Sequence, residues 1–372
     1  MTRVFSLHID TARSWRGGQN QVLLTVNGLR ALGHRAALVA HPDGELRTRA
    51  AEGLELIPLA PRSEMDLTAA WRLSRLIRRM RPGVVHAHDP HGVAMAAFAL
   101  SFGRSDQPPL VASRRVDFHL QRHSLSRWKY AQVDCFIAAS DAIRQMLLAD
   151  GIPSRRVVTV HEGIDVEHAR AIQAVNVHEA LWLPHGAPLV GNIAALVPHK
   201  GHRYLIEAAG LVCQDVPDAR FVVFGEGELR ESLERLIREH HLEKHVLLPG
   251  FRIDVLGCLK SFDLFVMSSV TEGLGTSLLD AMAAAKAVVA TRAGGIPEVV
   301  EDGVTGLLVP PRDPSALARA IVALLRDEPR RRRMATAGLA RVGELFNVER
   351  MVARTAEVYE QVATWVRGRA PV

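Results

Sequence analysis

Leu189-Val-Gly-Asn-Ile193, the loop Ala194-Ala-Leu-Val-Pro-His-Lys200-Gly201, a helix-period segment and then Phe221-Val-Val-Phe224 form the stretch that decides the fold. Two short apolar runs, each bounded by turn residues and separated by one helix, read as strands buried on both faces of a parallel sheet. The pattern repeats along the whole chain. Before this stretch the strand candidates are Val4–Ile9, Arg35–Ala40, Leu54–Leu59, Val84–His88, Leu110–Ser113, Cys135–Ala139 and Val157–Val160. After it come Val246–Leu248, Leu264–Met267, Ala287–Ala290 and Gly306–Val309. Two series of six or seven strands predict an α/β protein of two doubly wound, Rossmann-like domains.

The expected boundary lies between His161 and Pro188, where turn residues interrupt the pattern. Residues 1–165 then form the first domain and 166–346 the second, with a last helix from about 347 to 372 left to pack on either. A chain of 372 residues is long enough for two cores. Its 48% hydrophobic and 23% charged content is that of a soluble globular protein. No apolar run is long enough to span a bilayer, and the first residues read as a strand rather than a signal peptide. Cys135, Cys213 and Cys258 are far apart in apolar surroundings, which suits reduced thiols in a cytoplasm. Residues 1–165 hold 22 Lys and Arg against 15 Asp and Glu, so the net +6 of the chain comes from its first half. That half therefore expects an anionic partner: a membrane surface, a phosphorylated acceptor or nucleic acid. No recognised nucleic-acid module accompanies the charge, so no nucleic-acid partner is expected.

In open parallel sheets ligands bind at the carboxyl ends of strands, and those loops carry the candidate residues. Thr271-Glu-Gly-Leu-Gly-Thr-Ser-Leu-Leu-Asp280 places Glu272 before a glycine turn and Asp280 inside the next helix. Gly273 and Gly275 can present bare amides to a phosphate at the helix start, where Thr276 or Ser277 can cap. Two carboxylates beside a phosphate site suit a ligand that also carries hydroxyls, hence a sugar nucleotide. The competing reading is ordinary helix-start chemistry, since acids there favour the macrodipole. Lys200 beside Gly201 can neutralise a diphosphate as a point charge. Gly225-Glu226-Gly227 forms another strand-to-helix turn, and Gly294-Gly295 reads as a structural turn. In the first half, Arg16-Gly17-Gly18-Gln19 can set amides against a phosphate. His86 and His88 share one strand face, which suggests either a metal site or a sugar-binding or catalytic His88; no further ligand set in the sequence supports the metal. The helix Trp71–Arg81 has its apolar residues on one face and Arg72, Arg75 and Arg79 opposite, as a helix covering a sheet does. Arg114, Arg115 and Arg122, interleaved with aromatics, are candidates for an acceptor or a membrane surface.

Taken together, these residues resemble the large GT4 family of retaining glycosyltransferases of GT-B fold. Glu272 to Asp280 is similar to its E-x7-E motif. Gly17-Gly18, His88, Gly163-Ile-Asp165, Lys200-Gly201, Gly225-Glu-Gly227 and the run from Ala293 to Val309 follow in the same order. The resemblance implies a nucleotide-sugar donor (UDP-, GDP- or ADP-linked) on the second domain and a glycan or lipid-linked acceptor on the first. It implies chemistry between the domains with no cofactor or metal required, and a last helix that returns to the first domain. Lys200 and the amides of Leu274, Gly275 and Thr276 would stabilise the leaving diphosphate, with Gly17 and Gly18 on its other side. Asp280 would hold the ribose hydroxyls, Glu272 the transferred sugar, and His88 would contact that sugar. The sequence departs from the family at two places: Asp280 stands where Glu is usual, and Ala194-Ala195 where Gly-Arg is common, with Arg252 a candidate replacement cation. The expected function is sugar transfer to a cell-envelope glycan or glycolipid, in the cytoplasm or at the inner membrane face. The alternatives are a sugar-nucleotide epimerase of the same fold and a non-catalytic sugar-nucleotide-binding homologue.

Overall fold

The computed structural model describes residues 3–367 except 51–52, 104–106 and 121–122, with the backbone alone at 365–367. The chain divides into two compact units, one running to Gly163 and resumed from Val348, the other Ile164–Asn347.

The first unit holds seven strands: β1 (Phe5–Asp10), β2 (Arg35–Ala40), β3 (Glu55–Pro58), β4 (Val84–Ala87), β5 (Leu110–Arg114), β6 (Cys135–Ala138) and β7 (Val157–Thr159). The second holds six: β8 (Leu189–Ile193), β9 (Arg220–Phe224), β10 (Val246–Gly250), β11 (Leu264–Met267), β12 (Ala287–Thr291) and β13 (Gly306–Val309). Every expected strand is present, and each strand pair is parallel. The orders are β3-β2-β1-β4-β5-β6-β7 and β10-β9-β8-β11-β12-β13. Each order reverses once, between β1 and β4 and between β8 and β11. At such a reversal the flanking helices leave on opposite faces and open a crevice at the carboxyl ends of the strands.

The helices used below are α1 (Gly17–Ala31), α2 (Leu67–Met80), α3 (Pro90–Ser101), α4 (Ser124–Ala131), α5 (His202–Asp215), α6 (Thr276–Ala283) and α7 (Val348–Arg367). The strands are apolar because both sheet faces are covered. In the first unit, Leu7, Ile9, Val85 and Phe136 pack on one side, while Val84, Val111 and Ile137 meet Val352, Val358 and Tyr359 of α7 on the other. α7 therefore belongs to the first unit's core. A side chain at Gly28 of α1 would begin 2.4 Å from a methyl of Val352, so the glycine sets how closely the two helices approach. In the second unit, Val222, Phe262, Phe265 and Leu278 fill one face, and Val190, Phe221, Val266 and Ile321 the other.

The passage between units is fixed locally on both sides. Gln21 of α1 donates to the Gly163 carbonyl at 2.9 Å and accepts from its amide at 3.3 Å. The next residue, Ile164, donates to the Phe346 carbonyl at 2.8 Å and bridges Asn347. The departing and returning segments of the second unit thus lie side by side. Cys135 and Cys258 are buried and all three thiols are free; burial pushes Cys135 up to about 12.

Candidate functional site

The strand reversal in the second unit gathers Lys200, Glu272 and Asp280. After β8 the chain makes a 3-10 turn, Pro198–Lys200, and reverses at Gly201, whose φ is +66°. A Cβ there would sit 2.1 Å from the Ser268 carbonyl oxygen, so only glycine lets this loop lie on the exit of β11. The His199 carbonyl accepts from Val270 N–H at 2.7 Å, and Ser268 Oγ donates to the Lys200 carbonyl at 3.1 Å. Held this way, Lys200 Nζ donates to Glu272 Oε2 at 2.6 Å, and Ser269 Oγ donates to the same oxygen at 3.0 Å. The two charged side chains are 19% and 11% exposed. Their pairing offsets the two charges against each other.

Glu272 is also fixed from behind. Gly294, with φ of +51°, packs against its backbone, and the Gly295 amide donates to its carbonyl at 3.0 Å. The structural reading of Gly294-Gly295 holds. The N-cap of α6 differs from expectation: it is Gly275, with φ of +96°, rather than Thr276 or Ser277, and no side chain caps the helix. With no side chain capping it, this helix start keeps its first-turn amides as a potential site for an anion. Gly273, Leu274 and Gly275 line that turn and are buried. Asp280, one turn further on, has no side-chain partner among the described residues. Desolvation alone pushes its carboxyl up to about 7, since nothing compensates an ionised form.

Gly225, Glu226 and Gly227 act as support. Cβ atoms at Gly225 and Gly227 would lie 2.0 Å from the Ala194 carbonyl oxygen and 2.4 Å from that of Leu196. The two loops therefore touch backbone to backbone, and Leu196 N–H donates to the Glu226 carbonyl at 2.9 Å. The Gly225 amide is taken by the Gly250 carbonyl at 3.0 Å. The Glu226 side chain points outward into an ion pair with Arg230 at 2.8 Å. Arg252 grips Asp254 through two contacts, 2.8 and 2.6 Å, so its charge is locally balanced. Sequence reasoning missed three groups near these strand ends: Asn192 Oδ1, Thr271 Oγ1 and both nitrogens of the buried His202, which have no hydrogen-bond partner among the described residues. Burial, with Lys200 next, lowers His202 to about 4. An asparagine inside the otherwise apolar β8 was the available signal.

In the first unit the reversal gathers Gly17, Gly18, His88 and Arg115. α1 begins at Gly17; Gln19 accepts from Arg16 N–H at 3.2 Å and donates to Asp10 at 3.1 Å. The Arg115 side chain passes within 3.8 Å of a Cβ placed at Gly18. Arg115 Nη1 donates to His88 Nδ1 at 3.2 Å. Because a guanidinium only donates, the direction of the row follows: His88 Nε2–H donates to His8 Nδ1 at 2.9 Å, and His8 Nε2–H to Ser6 Oγ at 2.9 Å. His86 completes the group, its ring nitrogens 2.6 Å from Tyr359 Oη and 2.8 Å from Ser113 Oγ. Burial above all, then the neighbouring His86 and Arg115, holds His88 well below the usual histidine range, so it is neutral. His88, the residue expected to contact a sugar, therefore has both ring nitrogens already engaged within the unit.

His8, His86 and His88 could offer three nitrogens within 4.8 Å of one another to a metal. The donor set fits poorly: every ring nitrogen is hydrogen-bonded, and the Arg115 cation lies against one of them. Asp10, unnoticed in the sequence, is buried here, and desolvation followed by the nearby Asp89 pushes it up to about 6. Arg115 also pairs with Glu162 at 3.0 Å. Arg114 is turned inward and donates to the Phe118 carbonyl. Arg122 lies outside the described residues.

Comparison with known proteins follows this division. Residues 15–168 match the family Glycosyltransferase Family 4, and residues 176–341 match Glycosyl transferases group 1. The alpha-D-kanosaminyltransferase of Streptomyces kanamyceticus is 30% identical over 347 residues, covering 84% of this chain and 89% of that one. The putative glycosyltransferase EpsD of Bacillus subtilis is 27% identical over 317 residues, covering 81% and 82%. The crystal structure of Anabaena HepE in complex with UDP-glucose covers 96% of this chain and 100% of its own, with a TM-score of 0.84 at 22% identity.

Proposed function

This chain belongs to the family 4 glycosyltransferases, with the GT-B fold, and from that premise we propose that it is a retaining enzyme that moves a sugar from a nucleotide to a cell-envelope glycan or glycolipid. The observation that carries the reading is the Lys200–Glu272 pair beside the uncapped start of α6, with Asp280 unpartnered one turn on. Lys200 and the amides of Leu274, Gly275 and Thr276 take the diphosphate, Asp280 the ribose hydroxyls, and Glu272 the hydroxyls of the sugar. HepE holds UDP-glucose, which favours a UDP-sugar over its GDP and ADP counterparts.

In the proposed reaction the bond between the anomeric carbon and the diphosphate oxygen breaks. The acceptor oxygen bonds to that carbon from the same face, and its proton passes to the departing phosphate. No side chain of the second unit's site is an evident nucleophile with a paired base, which supports same-face attack. The protein's part is electrostatic, and Lys200 with the α6 amides supplies it. Arg252 does not replace the family's missing arginine while it holds Asp254. The acceptor belongs with the basic first unit, where the excess of positive charge supports an anionic membrane as partner.

Lys200→Ala and Glu272→Ala are each expected to lower turnover by two or more orders of magnitude while the circular dichroism spectrum stays unchanged, on the scale of about 3–4 kcal/mol for one lost transition-state donor. Near-normal transfer by both variants overturns the assignment. A thermal-shift screen against UDP-, GDP- and ADP-sugars identifies the donor, because a ligand bound only by the folded state raises Tm.

A further inference from the structure

The arginines between Trp71 and Arg81 take no part in either strand-end constellation. Ala69, Ala70, Leu73, Leu76 and Ile77 of α2 are buried on the sheet. Its outer side carries Trp71, Arg72, Arg75, Arg78 and Arg79, all exposed, and the helix contains no acidic residue. Just before and at its start, Met65 is 63% exposed and Leu67 51%, with Trp71 at 48%. The Arg75 guanidinium stands 5.0 Å over the Trp71 ring. The two nearby acids are occupied: Asp66 caps α2 by accepting from Ala69 N–H at 2.9 Å, and Glu64 pairs with Lys129 of α4 at 3.0 Å. Residues 62–81 thus hold six arginines against two acids.

The helix dipole accounts for Arg78 and Arg79 in the last turn. It does not account for Arg72 and Arg75 beside an exposed tryptophan, nor for the three large apolar side chains left in water. A face that serves only solubility interleaves both signs and keeps such residues inward. Tryptophan with arginine is instead the composition of an element that lies in a lipid headgroup region. A cluster of this size on a helix suits anionic lipid.

We propose that the outer face of α2 docks the protein on an anionic bilayer, with Met65, Leu67 and Trp71 entering the interface and the arginine row against headgroup phosphates. This rests on the membrane partner proposed above and moves its contact surface away from Arg114 and Arg115, which are engaged inside the unit. Nucleic-acid phosphate would use the same arginines but would gain nothing from Met65 and Leu67.

The full chain is tested by sedimentation with vesicles of phosphatidylcholine, alone or mixed with phosphatidylglycerol, at low and high salt. Two variants accompany it, Arg72→Gln with Arg75→Gln, and Met65→Ser with Leu67→Ser and Trp71→Ser, each checked for an unchanged circular dichroism spectrum. The wild type is expected to bind only the mixed vesicles, to be released by salt, and to lose at least ten-fold in partitioning in each variant. Failure of the wild type to bind removes the membrane partner itself. Wild-type binding that both variants retain overturns the α2 assignment alone. Loss in the arginine variant with none in the apolar variant also overturns it, reducing the face to a general phosphate-binding patch of the kind a nucleic acid would share.

Discussion

At the scale of single residues, Asp280 makes the sharpest prediction. Its folded pKa of about 7 lies above the 3.8 of an exposed carboxyl. The folded state therefore binds the extra proton between those values, and stability falls as pH rises from about 4 to 7 and stays lower above. Asp280→Asn is expected to raise the Tm of the ligand-free protein at pH 8, by an amount equivalent to about 1–3 kcal/mol once solvent screening is discounted. The same substitution is expected to weaken donor binding, and wild-type affinity to increase with pH through 7 as the carboxylate forms. Calorimetry at pH 6 and 8 with a UDP-sugar checks both; equal affinity at the two pH values contradicts the role. Asp280 as a candidate was legible in the sequence because it follows Glu272 across a glycine-containing turn, inside the next helix. Its raised pKa was not, because that depends on what surrounds the carboxyl in three dimensions.

At the scale of elements, the strands were legible almost completely. Each is a short run of Val, Ile, Leu, Phe or Ala that must be apolar on both faces, so the sequence carries the signal twice. The loops were legible only in part. The α6 cap reads as Thr276 or Ser277 because hydroxyls usually cap; the chain instead places Gly275 there in a left-handed conformation, which only the fold of the loop dictates. Gly225 and Gly227 read as part of a donor-binding strand-to-helix turn; that they also admit the backbone of the Ala194–Leu196 loop shows only in three dimensions. The histidine row joins residues 80 positions apart, a contact that periodicity cannot reveal. Gly201 gives the element-scale test. In Gly201→Ala the new methyl group meets the Ser268 carbonyl and the backbone must leave φ of +66°. The expected result is a destabilisation of about 2–4 kcal/mol and at least a ten-fold loss of turnover, because the turn that aims Lys200 moves. Urea unfolding and steady-state kinetics measure the two effects; an unperturbed variant would show that the turn is not what positions the lysine.

At the scale of the whole molecule, buried histidines and buried carboxyls oppose each other. His8 is lowered to about 3 by burial and then Arg115, and His86 and His88 are lowered as well. A histidine held neutral in the fold but free to protonate when unfolded contributes stability above pH 6.5, and that stability is lost as pH falls below it. Asp10, raised to about 6, acts the other way between pH 4 and 6. Three histidines outnumber one aspartate, so the first unit is expected to lose up to about 1 kcal/mol per histidine per pH unit below 6. Hydrogen exchange followed at pH 7.5 and pH 5 is expected to show β1 and β4 opening sooner at the lower pH. Equal protection at both values would mean that the row titrates little on unfolding.

The chain completes its first unit only with α7, after the entire second unit has been made. On a ribosome adding about 5–20 residues per second, the 184 residues from Ile164 to Asn347 separate β7 from its last packing partner by about 10–40 s. Through that interval Val84, Val111 and Ile137 lack the side chains that cover them, while the second unit can close as soon as it emerges. Vectorial synthesis thus makes the N-terminal half the last to mature. A chain ended at Phe346 is expected to give a protease-resistant second unit beside a digestible first one, a fragment pattern that limited proteolysis would read directly.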